Sequence, residues 1–434
     1  MKKVALHNLG CKVNAYETEA MQELLENSGY EIVPFKEGAD IYIINTCTVT
    51  NVADRKSRQM LHRAKKMNQN AIVVAAGCYV QAEKNKGPDG QIDSCIDIVV
   101  GNNKKQDLIQ ILADYEQEHA AGIIHESWID INRTREYENL SLSKTGEHTR
   151  AYIKVQDGCN QFCTFCIIPF ARGRVRSRSE AEVVREVEQL ARNGYQEVVL
   201  TGIHLSSYGV GCGGDLLSLI QAVNQVTGIK RIRLGSLEPR VIDEIFVKAI
   251  ARLDTFCPHF HLSLQSGCDQ TLERMKRRYT VAEFHQKCDL LRKYFTNPAL
   301  TTDVIVGFPG ETEEEFEASR AFIEEIRFYE THVFKYSKRK GTKAAEMVGQ
   351  IDEKTKIRRS NMLIEIGKKR QMEYESVLIG KTVEVLIEEK IQSEEKKIWV
   401  GHTKEYVKVA VESTENLRNK VINVVIEDRS QIIH

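Results

Sequence analysis

Short apolar runs followed by helical stretches recur along most of this chain, and few folds accommodate that alternation. Residues 4–8, 41–45 and 71–76 read as strands, with helices over 16–28 and near 53–67. The pattern resumes after residue 150, with strands at 151–155, 197–200, 231–234, 260–264, 302–306 and 332–336. Helices over 179–193, 241–253, 280–294 and 312–328 lie between them. Strand–helix alternation predicts parallel sheets covered by helices. The expected fold class is α/β: an amino-terminal Rossmann-like parallel sheet, then a partial (β/α)6 barrel, two units short of a closed one. After a charged helix over 353–374 the period changes to two, in 382–387, 398–400, 406–411 and 421–426. That predicts a small antiparallel β-barrel of the oligonucleotide-binding kind. Residues 114–149 are polar and weakly periodic, including the stretch 139–146, and read as a linker. The expected divisions are thus 1–113, 114–149, 150–372 and 373–434.

In a parallel sheet the loops after the strands share one edge, where ligands bind. Cys11, Cys47 and Cys78 each fall just past a strand, so they can converge although far apart in the chain. Any one of them alone would read as a packed thiol. Cys159, Cys163 and Cys166 form a C-x3-C-x2-C array directly behind the strand at 151–155. Thiolates select zinc or iron–sulfur clusters. A cubane cluster takes four ligands, so three local cysteines leave one iron open; a zinc knuckle or three buried thiols are the other readings. Cys95, Cys212, Cys257, Cys268 and Cys288 lack such placement and read as structural, and His204 and His261 as packed or hydrogen-bonded.

The first seven residues are too short an apolar run for a signal peptide, and no run approaches the ~20 residues of a membrane span. A cytoplasmic protein with no membrane partner is expected, and in that reducing compartment eleven cysteines favour metal or catalytic use over disulfides. Lys+Arg and Asp+Glu are both 61, so a basic surface must come from local segregation of charge. Arg55, Arg58, Arg63, Lys65 and their neighbours make one helix strongly basic, either as a solvated face or as a contact for phosphates. Arg172, Arg174, Arg176 and Arg178 alternate along an extended segment and carry the same two readings.

With Phe165 before its last cysteine, the array resembles the signature of the radical S-adenosylmethionine (SAM) enzymes. Leu9-Gly10-Cys11-Lys12-Val13-Asn14, Asn45-Thr46-Cys47-Thr48-Val49 and Ala76-Gly77-Cys78-Tyr79 look like the amino-terminal domain of the radical SAM methylthiotransferases. The resemblance covers essentially the whole chain. Gly-Cys-Lys-Val-Asn is similar to the branch acting on N6-threonylcarbamoyladenosine beside the tRNA anticodon. It implies two [4Fe-4S] clusters, one on Cys159, Cys163 and Cys166 that cleaves SAM, and one on Cys11, Cys47 and Cys78 that carries the sulfur to be inserted. It implies that SAM both methylates that sulfur and yields the radical that removes hydrogen from carbon 2 of the adenine. The carboxyl-terminal barrel resembles the TRAM RNA-binding domain.

The loops at 201–204, 235–239, 265–267 and 307–311 follow barrel strands; each alone reads as an ordinary turn. By resemblance Phe165, Gly202, Glu238, Gln265, Ser266 and Asp303 are assigned to SAM. The expected partner is a tRNA anticodon stem-loop, with an electron donor and a sulfur source that the sequence does not identify. The rival acceptors are isopentenyladenosine and a ribosomal-protein aspartate; a non-catalytic iron–sulfur RNA sensor is the rival from another class. Lys338, Lys340 and Lys343 stand where the wider family commonly has prolines, and Lys420 where its TRAM domain commonly has a turn glycine.

Overall fold

The computed structural model describes residues 1–87, 90–118, 124–144, 149–392 and 397–434. The first sheet contains β1 (Lys3–Asn8), β2 (Glu31–Ile32), β3 (Ile41–Thr46), β4 (Ile72–Gly77), β5 (Ile98–Val100) and β6 (His125–Ser127), in the order β2-β1-β3-β4-β5-β6. All its pairings are parallel. Every residue of β3 is buried, because alternate side chains feed two separate cores: Tyr42 and Ile44 on one face, Ile41 and Ile43 on the other. The sheet extends further than expected. β6 and the end of the Leu108–Glu118 helix fall inside the stretch read as a linker. Leu140 and Leu142, also in that stretch, are buried against Tyr16 and Ala20. Polar residues dominate there by number, yet these few apolar ones set its packing. Residues 145–148, with Thr145 and Gly146, lie outside the described residues.

The central unit has seven strands: β7 (Arg150–Asp157), β8 (Arg176–Ser177), β9 (Glu197–Gly202), β10 (Arg231–Leu234), β11 (His259–Gln265), β12 (Ala299–Val306) and β13 (Glu330–Lys335). They form the groups β10-β9-β7-β8 and β11-β12-β13. Parallel bridges Ile232↔Phe256 and Leu237↔Leu262 join the two groups. Apart from β8, which runs antiparallel to β7, the strands are parallel, so six strands make an open barrel as expected. Ala151, Ile153, Val155, Leu262, Leu264, Val304 and Val306 point outward into one core with the helices. Arg150, Tyr152 and Lys154 therefore face the other way. The Lys12–Asn27 helix lies against β7 and β9 on that inner side, with Tyr152 packed on Tyr16 and Ala20.

The last sheet, β14 (Thr382–Gln392), β15 (Lys397–Thr403), β16 (Lys408–Glu412) and β17 (Val421–Val425), is antiparallel in the order β16-β15-β14-β17. The Glu353–Ser376 helix runs across the boundary expected at residue 372. Asn419, at φ +60, supplies the left-handed turn before Lys420, so the lysine needs no glycine's freedom. This sheet caps the amino ends of the barrel strands. The Tyr406 ring stacks on His402 at 4.5 Å and His259 at 5.0 Å between centroids. The Arg150 and Arg233 guanidiniums lie 4.9 and 4.8 Å from its centre. The carboxyl ends, where the cysteines lie, stay free of it.

Candidate active site

Three loops bring Cys11, Cys47 and Cys78 to one sheet edge, and buried amides hold them there. Asn14 Nδ2 donates to Leu9 O at 2.8 Å and Thr46 O at 3.0 Å, and Asn45 Nδ2 donates to Asn14 O at 3.0 Å. Thr46 Oγ1 accepts from the Tyr79 N–H at 3.2 Å and donates to Ala76 O at 2.5 Å, linking the second loop to the third. Ser57 Oγ accepts from the Cys47 N–H and donates to Cys47 O. Gly77 has φ +91, and a Cβ there would fall 2.5 Å from Asn45 Oδ1. Only glycine fits that turn.

The barrel triad needs only its own loop. Gly158, at φ +73, lets the chain turn under Arg174 O; the Cys159 N–H donates to Gly173 O and the Cys166 N–H to Cys163 O, each at 3.0 Å. Thr164 pins the loop to the barrel through Met275 O, Arg274 O and the Ala344 N–H. Phe165 packs edge-on to Phe308 at 6.3 Å, in a cluster with Met275 and Tyr336. Burial pushes the Cys47 and Cys159 thiols up to about 11 and Cys166 to about 12. The Cys47, Cys159 and Cys166 sulfurs therefore become thiolates only with a metal to replace the proton.

The donor set discriminates among metals. Among the described residues, the His/Cys/carboxylate groups that gather their ligand atoms within 4.8 Å are His62–Asp93–Cys95 and His261–Asp303–His332, and neither includes a triad cysteine. A tetrahedral zinc holds thiolates roughly 3.8 Å apart, given Zn–S of about 2.3 Å. Three thiolates spread wider than that fit a cluster-sized group better than a single ion.

One buried arginine ties the amino-terminal triad to the end of β7. Arg172 Nε donates to Cys78 Sγ at 3.2 Å, Nη2 to Asn14 Oδ1 at 2.6 Å, and Nη1 to Glu17 at 2.8 Å and Asp157 at 3.2 Å. Lys105 and Lys154 also reach Glu17, at 3.2 and 2.7 Å. Burial alone would raise the Glu17 carboxyl, but Arg172, Lys105 and Lys154 hold it well below its usual range. Arg176 and Arg178 are buried too, Arg178 against Glu186. The alternating arginines are thus not a cationic face: Arg172, Arg176 and Arg178 neutralise internal carboxylates. Arg174 alone is half-buried, its guanidinium 4.5 Å from the Phe162 ring centre.

Glu238 is buried beside the barrel triad. It accepts from Gln161 Nε2 at 3.1 Å and pairs with His204 at 3.2 Å and Arg277 at 3.0 Å. Burial would raise its carboxyl, but the His204 hydrogen bond and Arg277 keep it below the ordinary value. Arg277 also donates to Cys163 Sγ at 3.2 Å. Nothing in the sequence sets Arg277 apart from its neighbours Lys276 and Arg278. A cleft of about 520 Å³ opens here, lined by Gln161, His204, Ser206, Glu238 and Arg240 among others. Gly202, Gln265 and Ser266 stand at neighbouring strand ends: a Cβ on Gly202 would strike Gln156, Gln265 takes φ +70, and Ser266 is buried. Asp303 stands apart, partway down β12, paired with His261 at 3.2 Å.

Arg339, also unremarked in the sequence, ties the loop after β13 to the amino-terminal sheet. It donates to Asp54 at 2.7 Å and to Thr48, while Asn51 Nδ2 donates to Lys338 O at 2.8 Å. Lys338, Lys340 and Lys343 are exposed next to the start of the Asn51–Met67 helix, whose Arg55, Lys56, Arg58, Arg63 and Lys66 are exposed as well. Cys95 is buried near His62 and Asp93, far in the sheet from the triad edge.

Two family models match the chain: one described as an uncharacterized protein family, UPF0004, over residues 3–101, and the radical SAM superfamily over residues 153–323. The chain is 42% identical to the threonylcarbamoyladenosine tRNA methylthiotransferase MtaB of Bacillus subtilis, covering 98% of this chain and 93% of that one. It is 35% identical to the tRNA-2-methylthio-N(6)-dimethylallyladenosine synthase of Alkaliphilus oremlandii, covering 98% and 90%. Among solved structures, the radical SAM methyltransferase TsrM of Kitasatospora setae, with cobalamin and a [4Fe-4S] cluster, shares the fold at TM-score 0.56. That match has 16% identity and covers 77% of this chain and 75% of TsrM.

Proposed function

This chain belongs to the radical SAM methylthiotransferase family, and we propose that it converts N6-threonylcarbamoyladenosine beside the tRNA anticodon to its 2-methylthio derivative. Its reaction is tRNA methylthiolation by radical SAM chemistry, with SAM and an iron–sulfur cluster as cofactors. The observation that carries the finer reading is the pair of cysteine triads, with Arg172 bound both to Cys78 and to Asp157, two residues before Cys159. In this reading each triad holds a [4Fe-4S] cluster: Cys159, Cys163 and Cys166 in the barrel, Cys11, Cys47 and Cys78 in the amino-terminal sheet. When bound, the first supplies the electron that cleaves SAM, and the second supplies sulfur.

The remaining work belongs to side chains. Phe165, Gly202, Gln265 and Ser266 shape the space for SAM, and Glu238, oriented by Arg277 and His204, accepts hydrogen bonds from it; Asp303 faces the lumen below. Arg172 offsets thiolate charge at Cys78. Residues 1–113 form the sulfur-inserting part, 150–372 the radical-forming part and 373–434 an RNA-binding module, acting in the cytoplasm on an anticodon stem-loop. The exposed cations of the Asn51–Met67 helix and of Lys338, Lys340 and Lys343 suit its phosphates.

Anaerobically reconstituted protein, given SAM, reductant and tRNA, tests this reading. Mass spectrometry of the nucleosides should show 2-methylthio-N6-threonylcarbamoyladenosine. A dimethylallyl product instead would move the substrate to the other tRNA branch, and no 5′-deoxyadenosine at all would refute catalysis.

A further inference from the structure

Three segments far apart in the chain enclose a second cleft, of about 550 Å³. Its walls are residues 132–135, the stretch 174–177 that includes β8, and Val210 with Gly211 in the loop after β9. Close contacts build it. A Cβ on Gly173 would fall 2.0 Å from Ile131 O, so only glycine lets the first wall meet the second. Ser177 Oγ accepts from the Gly209 N–H at 3.1 Å and joins the second wall to the third. The second wall is also bonded to the loop of the barrel triad. The Cys159 N–H donates to Gly173 O at 3.0 Å, and the Val175 N–H to Asn160 Oδ1 at 3.2 Å.

The charge in this cleft is positive and largely uncommitted. Arg133, Arg135 and Arg174 all line it. Asp130 takes Arg133 at 3.2 Å, but among the described residues no carboxylate pairs with Arg135 or Arg174. Arg174 Nη1 is buried and has no hydrogen-bond partner among those residues. Its guanidinium lies 4.5 Å from the Phe162 ring centre. Phe162 in turn meets Phe170 edge-on at 5.7 Å, and Phe170 is 42% exposed. A guanidinium stacked on a ring keeps its N–H edge for an anion.

Arginines around one concavity suit a phosphodiester, because the planar fork of a guanidinium matches two phosphate oxygens. The exposed ring beyond Arg174 points to a single-stranded nucleic acid, whose unstacked bases settle on aromatic faces. We propose that this cleft holds a backbone phosphate of the tRNA anticodon loop, gripped by Arg135 and Arg174. This rests on the tRNA methylthiotransferase reading above, and adds to it a place where the strand is held beside the barrel triad's loop.

The test measures binding of a labelled anticodon stem-loop to reconstituted protein by fluorescence anisotropy over a range of KCl concentrations. Arg135→Gln and Arg174→Gln should each weaken binding about tenfold at low salt. Each should also reduce the slope of log K against log salt by about 0.7, one phosphate contact to a single strand. Arg135→Lys should restore the slope and part of the affinity. Parental slope and affinity in Arg135→Gln, an exposed position where the fold is not at stake, would overturn the proposal. Inorganic phosphate added at constant ionic strength should leave the parent's affinity unchanged; displacement of the stem-loop by phosphate alone would assign the cleft to a small anion and overturn the RNA assignment. Failure of the wider reading shows elsewhere, as a missing methylthio nucleoside from the parent.

Discussion

The two cysteine triads are assembled by different routes. Cys159, Cys163 and Cys166 share a single loop, shaped by Gly158 and pinned by Thr164. Cys11, Cys47 and Cys78 come from three loops and meet only because β1, β3 and β4 are neighbours in register. The first arrangement is local in sequence. The second depends on the whole sheet, on Asn14, Asn45 and Thr46 between its loops, and on Arg172 reaching across from the barrel. A loop-borne site fails by losing a ligand; a sheet-borne one can also fail by losing its scaffold.

The most severe test of that contrast removes one ligand from each triad. Cys163→Ala is expected to abolish 5′-deoxyadenosine release, whereas Cys11→Ala keeps that release and loses the methylthio product. Equal cleavage by Cys163→Ala and the parent would break the division of labour.

Scaffold loss should be smaller and one-sided. Asn14→Ala removes donors to two buried carbonyls and an acceptor for Arg172, costing about 1–3 kcal/mol. Urea melts should show that loss. Iron should fall toward the content of the barrel triad alone, with 5′-deoxyadenosine release retained.

Acid should weaken the ion network that the two regions share. Glu17 and Asp157 have carboxyls held below their usual range. Their stabilisation is complete above the ordinary carboxylate pKa near ~4 and is lost as pH falls through the lowered folded values. The melting temperature should therefore drop on acidification below about pH 4, and Glu17→Gln should flatten part of that drop. The smallest effect belongs to Cys212, which is partly exposed on a loop away from both triads. Cys212→Ala should leave the iron content unchanged and stability within about 0.5 kcal/mol.

Sequence reading succeeded where structure is carried by periodicity and failed where it is carried by partners. The barrel count and the antiparallel terminal sheet follow from periodicity, and the cysteines of both triads lie in the loops behind strands. Arg172, Arg176 and Arg178 read as a cationic strip because charge is visible in a sequence and burial is not; Glu17, Asp157 and Glu186, which neutralise them, lie on other segments. Arg277 and Arg339 went unremarked for the same reason. The stretch after residue 114 read as a linker because one short strand and two leucines carry too little periodicity to announce themselves.

By itself the sequence determined the alternation that makes two parallel sheets, and the thiols at their strand ends. Hydrophobic period and loop position are local properties, so they survive without coordinates. Only the tertiary structure decided that Arg172 joins Cys78 to Asp157 and that Tyr406 closes the barrel's amino end. Each depends on segments far apart in the chain meeting in space, and the order of residues does not record which charges will meet.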